Sequence, residues 1–406
     1  MNIIYINHYA GSTKMGMAFR PYYLAREWQK MGHRVLVVAS DYAHGRIHNP
    51  EGVSDFEVTD HEGVPYLWIH TRKYQGNGVK RALSVFQFCG KLWLKAGKIA
   101  REFKPDVVIS ASTYQLDFYP ASRIAKKAKA MKVHEAHDMW PLTPIDRGMS
   151  KNNPFIWAVQ MAENAFCKKA DRVYSLLNGS KPYFVEHGMD PDKYRLAPNG
   201  IVVEDWANPL PLPELHQKTI DRIRSEGKKI ISFYGSVNDD QCLEILLEAV
   251  GRCADKGLCV LYVGEGRFKQ ELIERSKSLP DGCAYFLPAI SKLAIPSLVA
   301  SIDASFNGLR RSPLYVHGVS LNKTYDGMMG GKPIIYAVEA PGNLIEQFDC
   351  GITVEPENVN ALTEALLKFL SLSDEECERM GKNGQRAVVE NFSYSVIAKR
   401  FLEGLE

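Results

Sequence analysis

The segment Ser320-Leu-Asn-Lys-Thr-Tyr-Asp326 places a capping hydroxyl, an ammonium group and, one turn on, a carboxylate along a short helix that ends at Gly330-Gly331. With Ser320 as N-cap, the helix opens at Asn322, and its unpaired amides and positive dipole end make an anion site to which Lys323 adds a full charge. A diphosphate suits such a site. Asp326, one turn further in, is placed to accept hydrogen bonds from ribose hydroxyls. In the first half, the loop Gly11-Ser-Thr-Lys-Met-Gly16 precedes a helix opening near Arg20-Pro21, and its glycines would let backbone approach a ligand. His137 and His134 stand at the end of a strand around Val133, with Asp138 adjacent as a group that would orient His137.

The elements that must position these residues are read from hydrophobic period. Ile3 to Asn7, a loop, Arg20 to Met31 and Arg34 to Ala39 form a βαβ unit, and strands at Asp106 to Ser110, Ala130 to His134 and Arg172 to Ser175 continue it. Ala197 to Leu215 concentrates four prolines and carries no sustained period, so a linker is expected there. Lys229 to Tyr234, a loop, a helix from Cys242 to Cys253 and a strand from Leu258 to Val263 then restart the pattern. The expectation is an α/β chain of two Rossmann-like, doubly wound parallel-sheet domains facing across a cleft. The expected boundaries are 1–205, a linker at 206–228 and 229–386, with residues 387–406 packing back on the first domain. A ligand with two chemically distinct ends fits that arrangement.

Composition sets limits. The chain has 406 residues, 45% hydrophobic and 24% charged, too long for one ordinary core. A net charge of +3 is too small to announce nucleic acid. The eight cysteines show no metal-ligand spacing, and no D-x-D stands where a cation on a diphosphate would be held, so no metal is expected. The amino terminus is too short an apolar run for a signal peptide, and no stretch reaches membrane-spanning length, so a cytoplasmic protein is expected. Residues 79–103 repeat apolar groups at Ala82, Phe86, Cys89, Trp93, Ala96, Ala100 and Phe103, with Lys80, Lys91, Lys95 and Lys98 on another face. Such a helix either packs on its own core or touches anionic lipid on the inner face of the membrane.

From Gly235 to Arg386 the sequence resembles the family-4 glycosyltransferases of the GT-B fold, especially bacterial members that build O-antigens and capsules. The matching stretches are FYGSVNDDQCLEILLEAV, YVGEGRFKQEL, FLPAISKLAIPSLVASIDASF, NKTYDGMMGGKPIIYA, CGITVEPENVNAL and MGKNGQRAV. GMAFRPYYLAREWQKMGHRV, VHEAHDMWP and the region from AENAFCKKADRV to PNGI extend the resemblance over the first half. The resemblance implies a retaining enzyme that moves a sugar from a nucleotide diphosphate, UDP-linked, onto a saccharide or polyprenyl-diphosphate acceptor. It implies front-face displacement with closure of the domains over the donor, and no metal. Donor contacts are then expected from Gly16, Arg20, Gly235, Ser236, Asn238, Arg267, Asn322 and Asp326, with His137 and Lys323 as the catalytic groups.

Two departures stand out. The family pairs two carboxylates, of which Asp326 takes the second position while the first falls on Gly318, leaving His317 or a backbone amide beside the sugar and N-acetylated or deoxy sugars open. The basic residues usual after the first strand of the second domain are replaced by Ser236, Val237, Asn238, Asp239 and Asp240, so charge must come from Lys323, Arg20 or Arg267. The rival functions are a nucleotide-sugar epimerase of the same shape, a nicotinamide oxidoreductase, against which the missing G-x-G-x-x-G speaks, and a non-catalytic nucleotide-sugar binding protein.

Overall fold

The structure is a computed structural model that describes residues 1–76 and 78–406. The chain forms two compact units, the first from Met1–Pro198, Val316–Ser320 and Tyr394–Glu406, the second from Asn199–Tyr315 and Leu321–Ser393.

The first unit runs β1 (Asn2–Ile6), α1 (Arg20–Lys30), β2 (Arg34–Ser40), β3 (Val58–His61), β4 (Val64–Ile69), α2 (Val79–Phe103), β5 (Val107–Ser110), α3 (Phe118–Ala128), β6 (Met131–Ala136), α4 (Leu142–Asp146), α5 (Pro154–Lys169), β7 (Arg172–Ser175), α6 (Lys181–Glu186) and β8 (Tyr194–Leu196). Its sheet has the order β3-β4-β2-β1-β5-β6-β7-β8. The pairs are parallel except β3–β4, a hairpin turning at Glu62-Gly63 that the hydrophobic pattern had not announced. Continuous apolar strands such as Ile3-Ile4-Tyr5-Ile6 are buried on both faces, as a covered parallel sheet requires.

Helix α2 spans the expected residues but buries a different face. Val85, Phe88, Leu92, Ala96, Ile99, Ala100 and Phe103 enter the core, while Phe86 and Trp93 remain exposed. The core takes residues spaced three and four apart from Val85 and Phe88, a stripe that shares Ala96, Ala100 and Phe103 with the expected one. Lys91 is committed to Asp55, at 2.6 Å, and to the His70 carbonyl, so it belongs to the side facing the sheet edge.

The second unit contains α7 (Glu214–Ser225), β9 (Lys229–Tyr234), α8 (Leu243–Arg252), β10 (Leu258–Val263), α9 (Lys269–Ser276), β11 (Ala284–Leu287), α10 (Ile295–Ala300), β12 (Ala304–Gly308), α11 (Asn322–Met329), β13 (Ile334–Ala337), α12 (Leu344–Gln347), β14 (Gly351–Thr353), α13 (Val359–Ser371) and α14 (Asp374–Phe392). The strand order β11-β10-β9-β12-β13-β14 is that of a doubly wound nucleotide-binding sheet, with its switch point between β9 and β12. The expected linker at 206–228 is not a linker throughout: α7 packs Ile220 and Ile223 into this unit's core beside Ile230 and Leu298. Its prolines cluster before the helix, which hid the apolar spacing behind them. The last helix, α15 (Tyr394–Glu403), belongs to the first unit, where Trp28 Nε1 donates to the Ala398 carbonyl at 3.0 Å and Phe401 stacks on Tyr174. The return therefore starts at Tyr394, because residues 374–392 pack on α11 of the second unit through Gly381 and Gly384.

Candidate functional site

At the switch point of the second unit, β9 ends in Gly235-Ser236, both exposed, with Asn238 half-buried just beyond. The backbones after β9 and β10 touch here: a Cβ on Gly264 would lie 1.8 Å from the Gly235 carbonyl oxygen, so only glycine lets the two loops close. Helix α11 begins beside them. Its N-cap is Leu321 rather than Ser320, and Leu321 offers no side-chain acceptor to the first-turn amides. Asn322 is exposed in that turn.

Lys323 lies across the same loop. Its Nζ donates to Gln241 Oε1 at 2.6 Å and sits 4.6 Å from the centre of the Phe233 ring, and its Cδ lies 3.6 Å from where a Cβ on Gly235 would stand. Burial lowers this ammonium group to about 8, against the pull of the Asp240 and Asp326 carboxylates. A poorly solvated cation whose direct hydrogen bond is to a neutral amide gains from a bound anion. Asp326 is buried, and both its oxygens accept from Lys292 Nζ, at 2.5 and 2.6 Å. A ribose hydroxyl would thus meet a carboxylate already paired. Arg267 does not join the cluster: it is largely exposed and pairs with Asp239 at 2.5 Å. Sequence reasoning missed Lys292 and Gln241. A lone lysine in LPAISK and a glutamine six residues after Gly235 carry no pattern, and only the fold makes them neighbours.

In the first unit, the end of β6 holds a buried charged cluster centred on Glu135, which sequence reasoning also missed. Glu135 is fully buried and accepts from Arg20 Nε at 3.0 Å and Nη2 at 2.8 Å, from the Tyr5 hydroxyl, and faces His137 Nε2 at 2.6 Å. Against the burial that would raise it, Arg20 and His137 hold the Glu135 carboxyl far below the usual carboxylate range. Arg20 was expected to face phosphate or the acceptor; instead it is 4% exposed and gives two further N–H groups to the carbonyls of Pro198 and Ala197, at 2.7 and 2.8 Å. The helix start that carries Arg20 points it inward.

His137 keeps part of its ring exposed at the strand end, with Glu135 rather than Asp138 orienting it. Asp138 accepts from the Met139 amide and Thr143 Oγ1, both at 3.1 Å, and so secures the start of α4. His134 is a core residue: its Nδ1 lies 2.8 Å from Ser110 Oγ, its ring stacks 3.9 Å from Phe166, and burial pushes it down to about 3. Gly16 is buried in its own loop, its amide donating to the Ser12 carbonyl at 2.9 Å and its Cα facing Ile47. Gly318 adopts φ +95°, and a Cβ there would stand 2.2 Å from Asn178 Oδ1. The position of the absent carboxylate is therefore a glycine turn packed on the first unit, with the His317 carbonyl accepting from the Gly179 amide at 2.9 Å.

Comparison with known proteins agrees with this architecture. Residues 15–200 match the glycosyl transferase 4-like domain, and residues 228–372 match the glycosyl transferases group 1 domain. The chain is 24% identical over 363 residues, 85% of its length and 86% of the relative's, to WcaI of Escherichia coli K12, which by name is assigned to colanic acid biosynthesis as a glycosyl transferase. Among solved structures it resembles sucrose-phosphate synthase from Thermosynechococcus elongatus with a TM-score of 0.74 at 15% identity, covering 99% of this chain and 98% of that one. HepE of Anabaena, solved in complex with UDP-glucose, gives a TM-score of 0.67 at 16% identity over 99% of both chains.

Proposed function

Since the chain belongs to the family-4 glycosyltransferases, we propose that it transfers a sugar, with retention of anomeric configuration, from a UDP-linked donor to a saccharide or polyprenyl-diphosphate-linked acceptor in surface polysaccharide synthesis. The observation that carries this reading is Lys323, an ammonium group in the first turn of α11 that burial lowers to about 8, lying against Gly235 at the sheet's switch point. The UDP-glucose complex of HepE supports uracil as the donor base, and the name of WcaI supports a polysaccharide product.

In this reading, the diphosphate rests on the exposed backbone at Ser236, beside Gly235, and on the first turn of α11 at Asn322, with Lys323 supplying the charge. Asp326 faces the ribose, its position fixed by Lys292. As the sugar–phosphate bond breaks, negative charge grows on the leaving diphosphate, and Lys323 with the helix amides stabilises that charge more than the ground state. The leaving phosphate takes the proton of the acceptor hydroxyl, which attacks from the same face. His137, oriented by Glu135, contacts the sugar or its phosphate. Protein cations meet the leaving-group charge without a metal.

Thermal-shift titration with UDP, GDP and their common sugars tests the donor, since selective binding to the folded state raises its melting temperature. UDP-sugars should stabilise the protein in EDTA as well as in magnesium, and NMR of the product should show the donor's anomeric configuration. Stabilisation by GDP and not UDP, or an inverted product, would overturn the reading.

A further inference from the structure

The outer face of the first unit carries an arrangement that neither the donor site nor the core explains. Along the side of α2 turned from the core, Phe86, Trp93 and Leu94 are 48%, 42% and 79% exposed, and on the neighbouring α5 Trp157 and Met161 are 67% and 65% exposed. Helices α2 and α5 are neighbours here, since the Phe86 ring meets Phe155 of α5 edge-on at 6.2 Å. Several large exposed apolar side chains on two neighbouring helices are what a soluble surface avoids.

Beside them a groove of about 1170 Å³ runs between α2, α3 and α5, and its rim bears Arg101, Lys104, Lys126, Lys127 and Lys169, all exposed, with Arg123 on its wall. Arg123 stacks its guanidinium 4.5 Å over Trp93, and its Nε, like the neighbouring Ser122 Oγ, is buried without a hydrogen-bond partner among the described residues. The acidic group in the groove is Asp106, which accepts from the Asn2 amide at 2.7 Å. Gly97 leaves α2 low at this point, so that the Lys127 chain crosses it. The clustered exposed cations call for phosphate oxygens, and the neighbouring aromatic side chains call for the boundary between headgroups and acyl chains, where tryptophan is favoured.

We propose that this face docks on an anionic phospholipid bilayer, with Trp93, Leu94, Trp157 and Met161 entering the headgroup boundary and the groove cations holding lipid phosphates. The proposal deepens the lipid-linked acceptor reading of the proposed function, and it moves the contact from the Lys80, Lys91 and Lys95 side of α2 to the α2–α3–α5 side. Binding needs both parts: apolar burial sets the depth, and the cations set the preference for anionic lipid.

Co-sedimentation of the full chain with vesicles tests it. Phosphatidylglycerol-containing vesicles should retain the protein and pure phosphatidylcholine vesicles should not, with binding weakened by raised salt. The triple variant Arg101→Glu, Lys126→Glu, Lys127→Glu should lower partition about a hundredfold or more, as three lost cations imply. Trp157→Ser with Leu94→Ser should lower it while leaving the salt dependence, and Lys80→Glu with Lys95→Glu should change it little. Inorganic phosphate at matched ionic strength should not compete.

Equal binding to neutral vesicles, loss only in the Lys80 and Lys95 variant, competition by free phosphate, or a concentration-dependent dimer that buries the patch would overturn the proposal. Thermal shift by UDP, read on each variant, separates this outcome from failure of the donor reading: a triple variant that loses vesicles and keeps its UDP shift leaves the transferase assignment standing.

Discussion

His137 Nε2 lies 2.6 Å from Oε2 of Glu135, two positions before it, and the other oxygen of that carboxylate carries the buried guanidinium of Arg20. One ionised group thus fixes both the orientation of a partly exposed imidazole and the connection between β6 and the segment at Ala197-Pro198. Glu135→Gln should leave Arg20 buried without a counter-charge and destabilise the protein by about 3–5 kcal/mol. The sign with pH follows from a lowered carboxyl: the stabilisation is complete above the unfolded value near ~4.3 and fades as pH falls toward the folded one. His137→Ala keeps the Arg20–Glu135 pair, so it should lower kcat with little loss of stability. Urea unfolding at pH 7 and pH 4, beside steady-state kinetics, checks both; equal stability of the Gln variant would mean that the carboxylate is not the holding charge.

The alternation of strand and helix was legible because a parallel sheet covered on both faces demands uninterrupted apolar runs, as in Ile3 to Ile6 and Leu258 to Val263. Lys323 and Gly235 were legible too, since a glycine at a strand end and a lysine at a helix start each carry a local signature. Glu135, Gln241 and Lys292 were not. Their meaning comes from partners 34 to 115 residues away, such as Asp326 and Arg20, and a single sequence holds no record of those distances. The same reason hid the buried side of α2, where two stripes were apolar enough and only packing against β4 and α3 chose between them.

Lys323 should reveal itself by opposite responses of binding and stability to pH. Its ammonium is lowered to about 8 in the fold and sits near ~10.4 when unfolded. Between those values the unfolded chain binds more protons, so stability rises with pH, while affinity for UDP falls as the charge is lost. Lys323→Met should raise the melting temperature of the free protein near pH 7, abolish the shift given by UDP, and remove the rising contribution that Lys323 makes to stability across this range, leaving the opposite contribution of buried thiols such as Cys242 and Cys259, raised to about 12. Calorimetry with and without UDP from pH 7 to 9.5 decides it; an unchanged UDP shift in the variant would remove Lys323 from the diphosphate.

Asp117 predicts a slope on the other side of neutrality. It is fully buried, accepts from the amides of Ala111 and Ser112 at 3.2 and 2.9 Å, and burial pushes its carboxyl up to about 7 despite those bonds. A raised carboxyl makes the folded state the better proton binder between the unfolded value near ~3.9 and the folded one, so stability should fall as pH rises across that window. The loss is about 1.4 kcal/mol for each unit of displacement. Asp117→Asn keeps an acceptor for both amides and cannot ionise. Chemical denaturation from pH 4.5 to 7 should show the variant losing less stability, or gaining more, with rising pH than the parent; what slope remains combines Glu163, also raised to about 7 by burial, with the buried His134, lowered to about 3, which acts in the opposite sense.

Gly318 separates a missing catalytic group from a structural turn. If the family's first carboxylate were simply absent here, Gly318→Glu would restore it and raise activity. The backbone argues otherwise, because φ +95° is strained for any side chain and the new Cβ would stand 2.2 Å from Asn178 Oδ1 and 2.9 Å from its amide nitrogen. Gly318→Ala should therefore cost about 1–3 kcal/mol, and Gly318→Glu at least as much, with no gain in transfer rate. Pairing Gly318→Ala with Asn178→Gly should recover part of the loss by removing the clashing amide oxygen, while the torsional strain remains. A Glu variant that folds as well as the parent and turns over faster would show that the turn tolerates a side chain, and the sugar contact would then belong to residue 318 rather than to His317 and the amides around it.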